Sequence, residues 1–274
     1  HLSPLDGEIA LSHKLSDSGA RVLVTSNLSA LLPTALKFLD KGLLDRLIVC
    51  EDDNWGKVGT QQTALPDNPK IITHRQFIEG VTKPSQWPAV DVEDVALLQY
   101  TGGTTGTPKG AMLTHRNLVY AAFAYAKTVG IADKPFEAVS YLPLCHVAER
   151  CYGTVTHLVL GGTVSFAESI DTVAINIREI APTFFVGVPR IYEKLQQGFL
   201  FRLGESGRLR QGFTRACLAW GRTLSDRRQA GKANLLDRAA FGLLYMLMFR
   251  NLQRHLGFAY SRHRLCAGAS ISPE

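Results

Sequence analysis

The stretch YTGGTTGTPKG, residues 100–110, follows directly on an apolar run, VALLQ. Glycine and threonine fill most of its eleven positions, and one tyrosine, one proline and one lysine complete it. Such a loop has little with which to pack a core. Glycine lets a backbone approach a ligand closely and permits positive φ. Successive backbone N–H groups in a loop of this kind form a concave anion site. Thr101, Thr104, Thr105 and Thr107 add hydroxyl donors and Lys109 adds a positive charge, a set that suits a polyphosphate. Two familiar phosphate loops do not fit. A Walker loop ends in Gly-Lys-Ser/Thr, whereas here Pro108 precedes Lys109 and Gly110 follows it. A dinucleotide fingerprint is GxGxxG opening a helix, whereas here Gly102 and Gly103 are adjacent and a strand-like GAML follows. The bland alternative is a Gly/Thr surface turn.

The sequence on either side alternates helix and strand signals. Residues 5–18 carry helical spacing and end at Gly19, a C-cap. RVLVT (21–25) reads as a buried strand, and RLIVC (46–50) as another. Between them Asn27 or Ser29 is placed to cap a helix over ALLPTALKFL, with Pro33 in its first turn. Residues 52–70, polar and rich in Gly and Pro, read as a surface loop. Beyond the Gly/Thr stretch and GAML, Thr114 caps a helix running to Gly130. AVSYLPL (138–144) reads as a buried strand, and HLVLGGTVSF (157–166) holds a Gly-Gly turn between apolar runs. TFFVGVP (183–189) is a strand whose Pro189 opens a helix over RIYEKLQQGFL. From 199 to about 258 the pattern is helical, amphipathic and basic, and RLCAGASISPE returns to a strand and a small-residue turn. Alternation of this kind predicts an α/β fold with a mostly parallel sheet.

The bulk properties narrow the class. At 274 residues and 46% hydrophobic content the chain can bury a substantial core. Five cysteines at irregular spacing argue against a disulfide scaffold and for a reducing, cytoplasmic setting. Cys145, His146 and Cys151 lie close in sequence, but no second ligand pair follows at zinc spacing, so no metal-ligating residue is assigned. The start, HLSPLDGEIA, shows no secretory leader. The apolar run Ala239 to Phe249 is shorter than the roughly 20 residues of a membrane-spanning helix. The net charge of +6 is uneven: residues 199–264 hold 13 Lys and Arg against 3 Asp and Glu, and the remainder holds 17 against 21. That asymmetry needs a reason. No base-stacking aromatic module accompanies it, so nucleic acid is not expected as a partner.

YTGGTTGTPKG closely resembles the signature loop of the adenylate-forming, or AMP-binding, superfamily, which includes acyl-CoA synthetases, luciferases and peptide-synthetase adenylation domains. Other stretches agree in order: LPLCHVAER (142–150) with the family's LPLxHxxE segment, GVPRIYEKL (187–195) with VPRxxEKL, and GASISPE (268–274) with the Gly-Ala-rich turn beside the adenine. The opening LSPLDGEIALSHKLSDSGARVLV resembles a helix and strand of the family's large domain. A long basic helical insert between VPRIYEKL and GASISPE is similar to long-chain fatty acyl-CoA synthetases. The resemblance implies an α/β large N-terminal domain of stacked subdomains with helices on mostly parallel sheets. Its parts would be an α/β start (1–90), the phosphate loop and acyl-site region (91–198), the basic helical insert (199–264) and the start of the adenine-site turn (265–274).

The same resemblance implies a chemistry: ATP-dependent activation of a long-chain fatty acid to an acyl-adenylate and then to acyl-CoA, with ATP, Mg²⁺ and coenzyme A. Thr101, Gly102, Gly103, Thr104, Thr105, Gly106, Thr107 and Lys109 would cradle the phosphates, and Gly268, Ala269 and Ser270 would flank adenine. His146 would stand near the carboxylate, its alternative being helix-capping or packing with Glu149 one turn on. Arg190 and Glu193 read as a structural i,i+3 pair. The basic insert is either a face for an anionic membrane surface or a solvated helix pair. The family's Thr-Glu metal segment, ribose-binding Asp and catalytic-Lys domain have no counterpart in these residues. The expectation is therefore an internal piece, inactive alone and lacking the remainder of its own chain. The alternatives are a truncated nucleotide-, lipid- or partner-binding module, and a ligase for a medium-chain or aryl acid.

Overall fold

The computed structural model describes residues 1–3, 5–51, 62–101, 107–132 and 135–268. The chain forms two compact units, His1–Leu118 with Pro143–Val147, and Val119–Leu142 with Ala148–Glu274.

The first unit opens with α1 (Glu8–Ser18), closed by Gly19 at φ 64°, a left-handed cap suited to glycine. β1 (Val22–Ser26), α2 (Leu32–Asp40), β2 (Arg46–Cys50), β3 (Ile71–Thr73) and α3 (His74–Ile78) follow. The three strands form a parallel sheet in the order β1-β2-β3. Its core joins Leu11 and Leu15 of α1 to Leu32, Phe38 and Leu39 of α2 and Leu47 and Val49 of β2. Three expectations change. β1 is the edge strand, so Val22 and Val24 are 51% and 58% exposed rather than buried. α2 has Leu31 at its N-cap with no side-chain cap, because Pro33 already supplies a first turn that needs no N–H there. β3 and α3 were not anticipated, although Thr73 and Gln76 form a full capping box. The loop expected over 52–70 lies partly outside the described residues.

Next come β4 (Val95–Thr101) and β5 (Lys109–Thr114), an antiparallel pair. Thr114 then opens α4 (His115–Val129). Its hydroxyl accepts from Asn117 N at 3.2 Å, while Asn117 Oδ1 accepts from Thr114 N at 3.0 Å.

The second unit is built on a four-stranded parallel sheet. In chain order it contains β6 (Glu137–Ser140), α5 (Val147–Glu149, whose first residue is in the first unit), a π-helical turn Arg150–Val155 and α6 (Thr156–Leu160). β7 (Thr163–Phe166), α7 (Val173–Ile180), β8 (Phe184–Gly187) and α8 (Pro189–Gly204) follow. α9 (Arg208–Gln229), α10 (Leu235–Leu244), a π-helical turn Tyr245–Phe249, α11 (Arg250–His255) and β9 (His263–Cys266) complete it. The strand order is β7-β6-β8-β9. Parallel neighbours need a crossover connection, and the whole basic helical segment is the crossover from β8 to β9. Val139, Val173, Ile177, Phe185, Ile191 and Phe258 form one core of this unit. Cys217, Leu224 and Leu244 form another within the crossover. The strand expected over 138–144 stops at Ser140, and Pro143, which lacks an N–H for a ladder, already belongs to the first unit. Arg190 and Glu193 do not pair: Lys194 instead donates to Asp171 at 2.9 Å, and that bond and charge hold the Asp171 carboxyl below its ordinary range.

Candidate functional site

The Gly/Thr stretch is the connection of the β4–β5 hairpin. The ladder pairs Leu98 with Met112, Gln99 with Ala111, Tyr100 with Gly110 and Thr101 with Lys109. Thr101 and Lys109, which bound this stretch, are therefore held opposite each other by the ladder. Gly102, Gly103, Thr104, Thr105 and Gly106 lie outside the described residues. Thr101, Thr107 and Lys109 are exposed at the mouth, and among the described residues no carboxylate pairs with Lys109. These groups, two hydroxyls and one ammonium, can all donate to phosphate oxygens.

Several side-chain contacts hold the hairpin. Tyr100 Oη donates to Asp17 Oδ2 of α1 at 2.6 Å. Burial, and then that hydrogen bond, push the Tyr100 phenol up to about 12. Lys14 reaches across the Tyr100 ring, 5.6 Å from its centroid, and pairs with Asp6 at 2.6 Å. On the opposite strand Gly110 lies under the same ring: a Cβ there would stand 3.1 Å from Tyr100 Cζ. His13 Nε2, also on α1, donates to the Pro108 carbonyl at 3.0 Å. Gln99 Nε2 donates to the Cys145 carbonyl at 2.6 Å. That bond ties β4 to the segment Pro143–Val147, in which His146 N donates to Pro143 O at 2.8 Å to close a turn. His146 is exposed on this turn. Thr101, Thr107, Lys109 and His146 thus belong to one unit. His13, Asp17, Tyr100 and Gln99 support them and were not singled out in the sequence; of these, only Tyr100 had a local signal, its place beside the loop.

In the second unit the chain runs from β6 to β7 on one side and returns to β8 on the other. In open α/β sheets, ligands bind outside the strands' carboxyl ends at such a reversal. β6 and β8 share one ladder pair, Ala138 with Phe184. Tyr141, just past β6, spans them: its hydroxyl donates to Val186 O at 3.1 Å and accepts from Val188 N at 3.2 Å. β9 continues into Ala267, whose N–H donates to Gly187 O at 3.0 Å. Gly268 follows at φ 94°, where a side chain would be strained, with Val188 its nearest neighbour. Ala269 and Ser270 lie outside the described residues. Glu149 is buried, its Oε2 accepting from Leu142 N at 3.2 Å. A Cβ on Gly153 would fall 2.0 Å from Glu149 Oε1, so that glycine makes room for the carboxylate. Glu149 is therefore a packed, hydrogen-bonded residue of the second unit.

Comparison with known proteins bears on the family and the fold. A putative fatty-acid–CoA ligase, fadD11, of Mycobacterium tuberculosis is 33% identical over 198 residues, covering 69% of this chain and 34% of that protein. Long-chain-fatty-acid–CoA ligase 1 of Schizosaccharomyces pombe is 28% identical over 277 residues, covering 98% of this chain and 39% of that protein. The chain thus spans 34–39% of the length of these curated relatives. Among solved structures, the A domain of a carboxylic acid reductase from Segniliparus rugosus superposes with a TM-score of 0.61 at 19% identity, over 99% of this chain and 41% of that one. A benzoate CoA ligase from Burkholderia xenovorans gives 0.55 at 24% identity, over 70% and 35%. These two establish the fold, an adenylate-forming α/β domain. The family model described as AMP-binding enzyme matches residues 2–274, and the chain belongs to that family of adenylate-forming enzymes.

Proposed function

We propose that the protein carrying this chain activates a long-chain fatty acid. Its carboxylate attacks the α-phosphorus of ATP, the bond to pyrophosphate breaks, and the acyl-adenylate then passes its acyl group to the thiol of coenzyme A with release of AMP. The observation that carries this reading is the β4–β5 hairpin, a glycine- and threonine-rich loop closed by Thr101 and Lys109 with a free ammonium at its mouth. The fatty-acid–CoA ligase names of relatives near 30% identity support the substrate class.

Two anions must meet in the first step, so the work is charge neutralisation and alignment. In this reading, Lys109, the hydroxyls of Thr101, Thr104, Thr105 and Thr107, and the backbone of Gly102, Gly103 and Gly106 hold the β- and γ-phosphates. That grip stabilises the leaving pyrophosphate and leaves the α-phosphorus open. His146, exposed on its turn, faces the incoming carboxylate, and Gly268, Ala269 and Ser270 give adenine a flat backbone surface. Mg²⁺, when bound with ATP, supplies further neutralisation of the phosphate charge. The test is ATP–pyrophosphate exchange by the intact protein with palmitate, octanoate, benzoate and acetate. Exchange strongest with palmitate is the expected result. Exchange strongest with benzoate or acetate overturns the substrate class, and none with any acid overturns the activity.

We also propose that residues 199–264 rest on the cytoplasmic face of an anionic membrane. Leu209, Leu235, Leu236, Phe201 and Met246 are 64–92% exposed in this arginine-rich segment, an apolar-and-cationic combination suited to a lipid interface. No helix among the described residues is long and apolar enough to cross a membrane. Co-flotation with anionic but not with neutral vesicles is expected; indifference to vesicle charge counts against it.

A further inference from the structure

Helices of the second unit line an open cleft of about 730 Å³ that shares no residue with the phosphate hairpin or the β9 turn. Its volume is in the range of small-molecule sites. α7, α8, α9, α11 and the π-helical turn Tyr245–Phe249 all contribute to its walls. Leu195, Leu203, Phe213 and Leu247 make part of the lining apolar, whereas Arg178, Lys194, Arg202, Arg210 and His255 bring cationic or protonatable groups to it. Among the described residues no carboxylate lines it. Lys194 is neutralised by Asp171, but Arg202 and Arg210 pair with no carboxylate among the described residues. Arginines gathered around an apolar hollow repel one another unless an anion joins them.

Two backbone features line this hollow. Gly198 lies inside α8 on its wall, and a Cβ built on it meets nothing within 4 Å, so a larger side chain there would enter the open space. The π-helical turn, a rare form concentrated at functional sites, supplies Leu247 and Met248 to the wall.

We infer that this cavity binds an acyl amphiphile with an anionic head, an acyl chain against the leucines and phenylalanine and the head among Arg202, Arg210 and Arg178. A free fatty acid and an anionic membrane lipid share this chemistry. The inference does not rest on ATP chemistry and fails or stands separately from it.

The experiment is photolabelling of the intact protein with diazirine-bearing palmitate, read by peptide mass spectrometry, without ATP. Label is expected on peptides covering 199–215 and 245–256. Arg202→Glu with Arg210→Glu should reduce labelling there about tenfold, as reversal of two neighbouring charges predicts. Gly198→Trp fills the space without changing charge and should abolish it, which keeps the test decisive if the double variant folds poorly. A diazirine phospholipid presented in anionic vesicles tells the two sources apart: whichever probe labels these peptides is the ligand class. Equal labelling by the neutral diazirine alcohol of the same length overturns the anionic requirement. Label confined to other peptides, or unchanged in Gly198→Trp, overturns the site.

Discussion

Replacing Lys109 by Ala separates a phosphate grip from a structural role. Lys109 is exposed at the first position of β5, and no carboxylate among the described residues pairs with it. Its ladder bonds to Thr101 are main-chain, and the Thr101 hydroxyl reaches the Lys109 carbonyl at 3.5 Å. All of these survive truncation of the side chain. Stability should therefore change by no more than about 0.5 kcal/mol, as for a surface substitution away from special features. The nucleotide should feel the loss. One unit charge about 4 Å from a phosphate charge is worth about 1 kcal/mol in water and about 4 kcal/mol at an effective dielectric near 20. For an exposed loop we expect about 1–3 kcal/mol, roughly a 5- to 150-fold fall in kcat/KM for ATP. Lys109→Arg keeps the charge and should recover most of it. The assay is ATP–pyrophosphate exchange by the intact protein at two salt concentrations, beside a thermal melt. An unchanged kcat/KM with an unchanged melt refutes the reasoning; a loss of activity that tracks a loss of stability refutes it equally.

The support of the hairpin predicts that Tyr100→Phe, which deletes the 2.6 Å bond to Asp17, destabilises the protein by about 1–2 kcal/mol in urea titrations. Because the Tyr100 phenol is raised from 10.0 to about 12, its stabilising contribution is complete below pH 10 and is lost as pH rises through 12; the alkaline decline should be shallower in Tyr100→Phe. His157 sits buried against Phe136, ring centroids 4.5 Å apart, and burial lowers its pKa from 6.5. Its contribution is present above pH 6.5 and is lost as pH falls, so His157→Phe should flatten the acid limb of stability against pH. Gly257 lies at φ 82°, and a Cβ there would stand 2.3 Å from Ile177 O. Gly257→Ala should therefore cost at least about 3 kcal/mol, and a denaturation midpoint close to the parent's would contradict the packing described.

Local features were legible in the sequence because their causes are local. Pro189 at the start of α8, Thr114 at the head of α4, Gly19 after α1 and the two strands flanking the Gly/Thr loop all follow from backbone chemistry within a few residues. The loop's composition also led to the anion-site reading, which stands as part of the proposed function. What was not legible depends on partners far along the chain. His13 meets Pro108 across 95 positions and Asp17 meets Tyr100 across 83, and no spacing rule connects them. Tyr141 looked like one more strand residue, yet it bridges β6 and β8 because these strands share only one ladder pair. The exposure of Val22 and Val24 came from the place of β1 at a sheet edge, which a β-branched run does not disclose. Arg190 and Glu193 had the spacing of a helical pair, yet they do not pair; the ion pair made by this helix is Lys194 with Asp171, which lies outside it in sequence.

The contacts on either side of the Gly/Thr stretch bear on how the proposed phosphate grip would hold a charged ligand. Glycine-rich backbone costs conformational entropy when it is ordered, and that cost weakens binding unless the ends are already placed. Here the ends are placed by groups that would never touch the ligand. The ladder fixes Thr101 against Lys109, His13 holds the Pro108 carbonyl, and Tyr100 is pinned between Asp17 and Gly110. Loop-closure cost depends on how far apart the ends are held, and here they are already placed. A division of labour follows if the proposed function holds. Residues of the loop would then supply donors and charge to the phosphates. Residues of α1 would supply position, and so govern how much binding energy is retained. A sequence motif records the first group and is silent on the second, which is why His13 and Asp17 belong to the functional unit although neither lies within ninety and eighty residues, respectively, of the positions they hold.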